Sequence, residues 1–200
     1  MLFAIDRGDF NMEKYIIMAG FGGQGVMLMG KLLCYAVHDS TDLDVTFFPS
    51  YGAEQRGGTA NCYVAVADEA IGAPVTTAAN DLIALNQPSL DRFVSQVVQG
   101  GTVFVNSSIV NRLPAREDLD IVAVPVTDLA IEMGSEKVLN IIMLGVYVGY
   151  TGILPEVVVR DVILGKLGKK QHLIAMNEAA FEKGLELGRQ KKPKGVGSDG

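Results

Sequence analysis

Between Gly20 and Gly25 the chain reads GFGGQG, which satisfies G-x-G-x-x-G with four glycines in six positions. Glycines at this spacing permit a tight turn, admit a bound group close to the backbone, and let the next helix pack against the preceding strand. The chemistry on offer is anion binding. The first N–H groups of a helix lack intrahelical acceptors, and with the helix dipole they attract phosphate or carboxylate. A second stretch, SYGAEQRGG (50–58), sets Ser50, Tyr51, Glu54, Gln55 and Arg56 among Gly52, Gly57 and Gly58. Arg56 offers charge-assisted contacts to an anionic group, and Glu54 either orients Arg56 or meets a basic group of a partner.

A nicotinamide dinucleotide needs a further feature: an acid ending the second strand, ~20 residues on, that holds the ribose hydroxyls. Here that strand ends FFPSYG, and Asp39, Asp42 and Asp44 all precede it. Glu54 lies in a glycine-rich loop of a different kind. The first glycine loop is left with three readings: a dinucleotide without its usual acid, some other anionic group, or only a tight turn. The second is left with a ligand or partner contact at the strand's carboxyl end, or a plain exposed loop with a solvated Glu–Arg contact. No residue is placed for acid–base catalysis. His38 and His172 lie far apart near helix ends and read as surface or capping residues. Cys34 and Cys62 fall in no C-x-x-C spacing, and two thiols cannot supply the four thiolates of a cluster. No metal site is expected, and reduced cysteines suit a cytoplasmic setting.

These residues must be held by alternating strands and helices. YIIMAG (15–20) reads as a strand and VMLMGKLLCYAVH (26–38) as a helix, so strand, glycine turn and helix open a βαβ unit. Further strands are expected at 44–50, stopping at Pro49, and at 59–67, 81–86, 101–108 and 120–128, with a helix at 88–97. The pattern predicts an α/β, Rossmann-like, doubly wound and mostly parallel sheet with a helical C-terminal part. Residues 136–150 are apolar nearly all round and must be covered on every side. Helices also follow at 154–168 and 171–190, the last with Leu173, Met176, Ala180, Gly184 and Leu187 on one face. The methionines sit at apolar positions and read as core filling. Residues 1–11 look like an appendage before a natural start at Met12, 12–190 like one domain, and 191–200 like a disordered polar tail.

With 200 residues, 48% of them hydrophobic, and a mean hydropathy of +0.26, the chain can build a full core. VLNIIMLGVYVGY (138–150) is too short to cross a membrane and is interrupted by Asn140 and two glycines. No secretory signal is expected, since Asp6, Arg7 and Asp9 stand where an apolar segment should be. A net charge of −6 argues against nucleic acid as the main partner.

GFGGQGV after a strand, SYGAEQRGGTANCYVAVA, and NIIMLG in a long apolar helix together resemble the gamma subunit of the 2-oxoacid:ferredoxin oxidoreductases. The resemblance runs from Met12 to about Gln190. It implies a Rossmann-like subunit of an enzyme that converts a 2-oxoacid, coenzyme A and oxidised ferredoxin to acyl-CoA, carbon dioxide and reduced ferredoxin. It also implies that thiamine diphosphate and iron–sulfur clusters reside in partner subunits, and that this chain alone holds neither. The wording FPSYGAEQRGG is most similar to the 2-oxoglutarate type; Ala53 departs from the SYGPE of pyruvate enzymes. On this reading Gly20, Gly22, Gly23, Gln24 and Gly25 form a backbone nest for an anionic part of coenzyme A or a partner loop. Ser50, Tyr51, Glu54, Arg56, Gly57 and Gly58 form the second wall. The apolar helix suggests surface buried by other subunits or, in the isolated chain, by a homodimer. The rival readings are a stand-alone NAD(P)-dependent oxidoreductase and a purely structural assembly module.

Overall fold

Strand β1 (Lys14–Phe21) divides its side chains between two cores, with Ile16 and Met18 on one face and Ile17 and Ala19 on the other. That period-two division, apolar on both faces, marks a strand covered from both sides. In the computed structural model, which describes residues 13–51, 58–168 and 171–193, β1 lies inside a six-stranded sheet. The other strands are β2 (Asp44–Tyr51), β3 (Thr59–Ala67), β4 (Ala79–Ala84), β5 (Val97–Asn106) and β6 (Asp120–Val124), in the order β2-β3-β1-β4-β5-β6. β1, β4, β5 and β6 are parallel neighbours, whereas β3 runs antiparallel to both β1 and β2. The expected α/β, mostly parallel sheet is the one observed.

The helices are α1 (Val26–Ser40), α2 (Gln87–Phe93), α3 (Val126–Glu132), α4 (Leu139–Thr151), α5 (Glu156–Leu167) and α6 (Gln171–Lys191). The larger core unites one sheet face with α1, α3, α4, α5 and α6; the smaller one lies under α2. Among the described residues no helix is long and apolar enough to cross a membrane.

Several boundaries differ from the sequence expectation. β2 continues through Pro49 to Tyr51. It is an edge strand, and an edge tolerates a residue with no N–H to donate. The stretch 120–128 is two elements: β6 ends at Val124, and α3 begins after Pro125. α2 stops at Phe93; a short 3-10 turn follows, and β5 starts at Val97, paired with Ala79. The appendage 1–11, Met12 and the last seven residues lie outside the described residues.

α4 is buried from Leu139 to Tyr150, as its all-round apolarity requires. It meets α6 through two glycines on each helix: Gly145 faces Gly184, Gly149 lies on the Leu185 backbone and Gly188 on that of Val146 and Tyr150, and a methyl group on any of them would overlap backbone of the other helix. Phe104 of β5 packs edge-on against Tyr147 and Tyr150 of α4, with centroids 5.2 and 5.3 Å apart. At the amino ends of the strands, buried Asp81 accepts a 2.8 Å hydrogen bond from the Tyr147 hydroxyl and pairs with Lys14 Nζ at 2.9 Å. Burial, then the Asp81 charge, raises the Tyr147 hydroxyl well above its usual pKa.

Candidate functional site

The site lies at the opposite, carboxyl end of the sheet. β1 leads through α1 towards β2, whereas β4 leads through α2 to β5 on the other side. The chain therefore changes direction between β1 and β4, the crevice where open α/β sheets bind ligands. The glycine loop joins β1 to α1 at this crevice.

Gln24 folds back into it. Its Oε1 accepts from Phe21 N–H at 2.7 Å and from Asn86 Nδ2 at 3.3 Å, and its Nε2 donates to the Leu85 carbonyl at 3.4 Å. Gly20 leaves room for this: a Cβ there would lie 2.7 Å from Gln24 Oε1. The Gln24 side chain thus ties the loop to the end of β4, and only its backbone belongs to the crest. Gly22 and Gly23 are exposed. Gly22 N–H donates to the Gly58 carbonyl at 2.9 Å, which brings the two glycine stretches together. Gln24 N–H is engaged by Phe21 O at 3.2 Å. Two of the nest amides named from the sequence are therefore already bonded within the protein.

Gly25 caps α1 with φ +77° and no side-chain cap, and no acid stands in the first turn. The left-handed φ favours glycine, and so does the neighbour: a Cβ on Gly25 would lie 2.5 Å from Asn140 Nδ2. That amide donates to the Gly25 carbonyl at 3.3 Å. The first bond within the helix is Met29 N–H to the same carbonyl, at 2.9 Å. The N–H groups of Val26, Met27 and Leu28 thus stand at a positive helix end, without intrahelical acceptors.

Ser50 lies on β2 opposite Asn61, Tyr51 ends that strand opposite Ala60, and Gly58 precedes β3. Glu54, Arg56 and Gly57 lie outside the described residues. β3 separates β2 from β1, so the tip of β2 stands two strand spacings, about 10 Å, from the glycine turn. An acid there would be a strand farther away than the dinucleotide arrangement requires. With Gln24 occupying the crevice, the geometry weighs against a nicotinamide dinucleotide.

The carboxyl edge carries amide residues that the sequence reading passed over. Asn86 accepts from Ser89 N–H at 2.9 Å and caps α2. Asn106 donates to Leu85 O at 3.3 Å and to Thr127 Oγ1 at 2.8 Å, joining the ends of β4, β5 and α3. Asn140, read only as an interruption of an apolar helix, reaches the glycine loop. Asn86, two residues before Pro88, was a readable cap signal. A lone amide inside an apolar run was the signal for Asn140; Asn106, at the end of VFVN and before two serines, carried no such signal.

The thiols are recessed. Cys34 is half-buried and Cys62 buried. Burial pushes the Cys34 thiol up to about 12, and burial and then Cys34 raise Cys62. Neither has the depressed pKa of a reactive cysteine. Among the described residues no three His, Cys, Asp or Glu side chains gather as metal ligands.

An α/β domain whose carboxyl edge carries a glycine turn and a helix N-terminus, with no assembled reacting group among the described residues, is the class that this fold and edge define. The chain belongs to the pyruvate ferredoxin/flavodoxin oxidoreductase family, which it matches over residues 15–187. It is 37% identical over 188 residues to the ketoisovalerate oxidoreductase subunit VorA of Methanothermobacter marburgensis, covering 93% of this chain but 38% of that relative. The chain thus spans well under half the length of the VorA relatives it matches. With the 2-oxoglutarate synthase subunit KorC of Methanocaldococcus jannaschii it shares 32% identity over 190 residues, 93% of this chain and 100% of the relative. The gamma subunit of a keto/oxoacid ferredoxin oxidoreductase from Geobacter sulfurreducens superposes with a TM-score of 0.75 at 27% identity, over 88% of this chain and 99% of that one. A 2-oxoglutarate:ferredoxin oxidoreductase from Magnetococcus marinus, solved with 2-oxoglutarate, coenzyme A and succinyl-CoA bound, superposes with a TM-score of 0.81 at 25% identity, over 89% of this chain and 31% of that one.

Proposed function

We propose that this chain is the gamma subunit of a cytoplasmic 2-oxoacid:ferredoxin oxidoreductase that forms acyl-CoA and carbon dioxide from a 2-oxoacid and coenzyme A. The observation that carries this reading is the end-to-end match with KorC. The geometry agrees with it: the strand edge offers the amides that open α1 to an anion, and among the described residues it assembles no acid, base or nucleophile there. Partner subunits hold the thiamine diphosphate and the iron–sulfur clusters, since two recessed thiols fit no four-thiolate centre. Thiamine diphosphate supplies the carbon–carbon cleavage, and this subunit binds and orients. The N–H groups opening α1 and the exposed backbone at Gly23 receive an anionic part of coenzyme A or a partner loop, with Gly22 held beside them by its bond to Gly58. Ser50, Tyr51, Glu54, Arg56, Gly57 and Gly58 are proposed as the facing wall.

The preferred 2-oxoacid is 2-oxoglutarate. The 37% identity with VorA favours a branched-chain 2-oxoacid as the second reading. Purification from native extract should yield companion chains with thiamine diphosphate and cluster motifs, and CoA-dependent viologen reduction with 2-oxoglutarate exceeding that with 2-oxoisovalerate. A chain that purifies alone and binds NAD or NADP tightly in calorimetry would overturn the proposal. Reversed substrate preference would replace only the substrate.

A further inference from the structure

Asn140 is the residue through which α4 touches the glycine loop. It is 2% exposed, and its Nδ2 reaches the carbonyl of a residue 115 positions earlier. The loop is held at both ends by carboxamides: Gln24 accepts from Phe21 N–H at its start, and Asn140 donates to Gly25 O at its end. Between them Gly22 and Gly23 stay exposed. The Gly25 carbonyl and the Val26 N–H belong to one rigid peptide plane. Fixing the carbonyl therefore fixes the direction of the first N–H of α1, and hydrogen bonding to the oxygen polarises that N–H as a donor.

We propose that Asn140 is a positioning residue: it aims the amides at the start of α1 towards the anionic part of coenzyme A. This rests on the coenzyme A reading above. α4 does not depend on Asn140 for its place in the fold. It is buried along its length, interlocked with α6 through Gly145, Gly149, Gly184 and Gly188, and tied to Asp81 through Tyr147. Loss of the Asn140 amide should therefore disturb the loop more than the core.

The test uses the assembled complex carrying Asn140→Leu, which keeps volume without a donor, and Asn140→Ser, which is too short to reach and carries the test should the leucine not assemble. Coenzyme A and 2-oxoacid are varied separately, and the thermal midpoint is recorded. KM for coenzyme A should rise about three- to tenfold, the range of one lost hydrogen bond. KM for the 2-oxoacid, kcat at saturating coenzyme A and the midpoint should hold, the pattern of lost uniform binding. An unchanged KM for coenzyme A, or a joint fall of kcat and midpoint without that selectivity, overturns the role. Gly23→Ala, strained at φ +101° and with no described residue within 4 Å of its Cβ, is measured alongside. If it alone raises KM for coenzyme A, the site stands and the Asn140 role falls; if neither variant does, both fall.

Discussion

The carboxamide of Gln24 lies over Gly20, with its Oε1 at 2.7 Å from where a Cβ would be. The other two sides of the same space are closed by Val26 and Leu85. Gly20→Ala must push Gln24 out of its bonds to Phe21 N–H and Asn86 or shift β4. Overpacking of this kind costs about 1–3 kcal/mol, and urea denaturation of the variant should show that loss. A wild-type midpoint would mean that the Gln24 latch is loose.

The α4–α6 contact makes a paired prediction. Gly184→Ala sets a methyl group into the Ile142 carbonyl. It should destabilise by about 1–3 kcal/mol despite the roughly 1 kcal/mol helix preference of alanine. Gly165→Ala in α5 meets no described residue within 4 Å and should stabilise by up to about 1 kcal/mol. Equal effects of the two in thermal unfolding would refute the close helix contact.

Tyr147→Phe removes the hydroxyl that donates to buried Asp81 and leaves Lys14 as its ion-pair partner. A lost hydrogen bond to a buried charged group costs about 1.5–3 kcal/mol. The denaturation free energy should fall by that amount while the assembled complex keeps its KM for coenzyme A, because this cluster is at the far end of the sheet.

Alkaline stability follows from the recessed thiols. Cys34 is shifted from 9.0 up to about 12 in the folded chain, and Cys62 is raised as well. Above pH 9 the unfolded chain releases these protons and the folded chain keeps them, so stability is retained below pH 9 and falls as pH climbs towards 12. Cys34→Ala should flatten that decline. In the native protein, iodoacetamide should modify neither cysteine appreciably at pH 8, and rapid labelling would contradict the burial.

Much of this architecture was legible in the residues. Two-sided apolar strands and the glycine turn after YIIMAG announce a parallel α/β sheet, and the all-round apolarity of α4 announces its burial. The direction of β3 was not legible. TANCYVAVA carries the same β-branched pattern whichever way it runs, and only its ladders with β1 and β2 reveal it. At the site, the glycine positions were readable because φ and close approach demand them. Gln24 was placed in the right loop, but the inward turn of its side chain depends on acceptors at Leu85 and Asn86, some 60 residues on. Asn140 lay farther still: hydrogen bonds across 115 residues leave no local period to detect.

The antiparallel β3 has a consequence for the order in which the chain assembles. β1 is synthesised first, yet its two neighbours are β3 and β4, and β2 never touches it. On the ribosome, the first strand therefore emerges without a ladder to join until Thr59–Ala67 has been made. Nascent chains arrested before residue 59 should leave Lys14–Phe21 open to a chaperone that binds extended apolar segments.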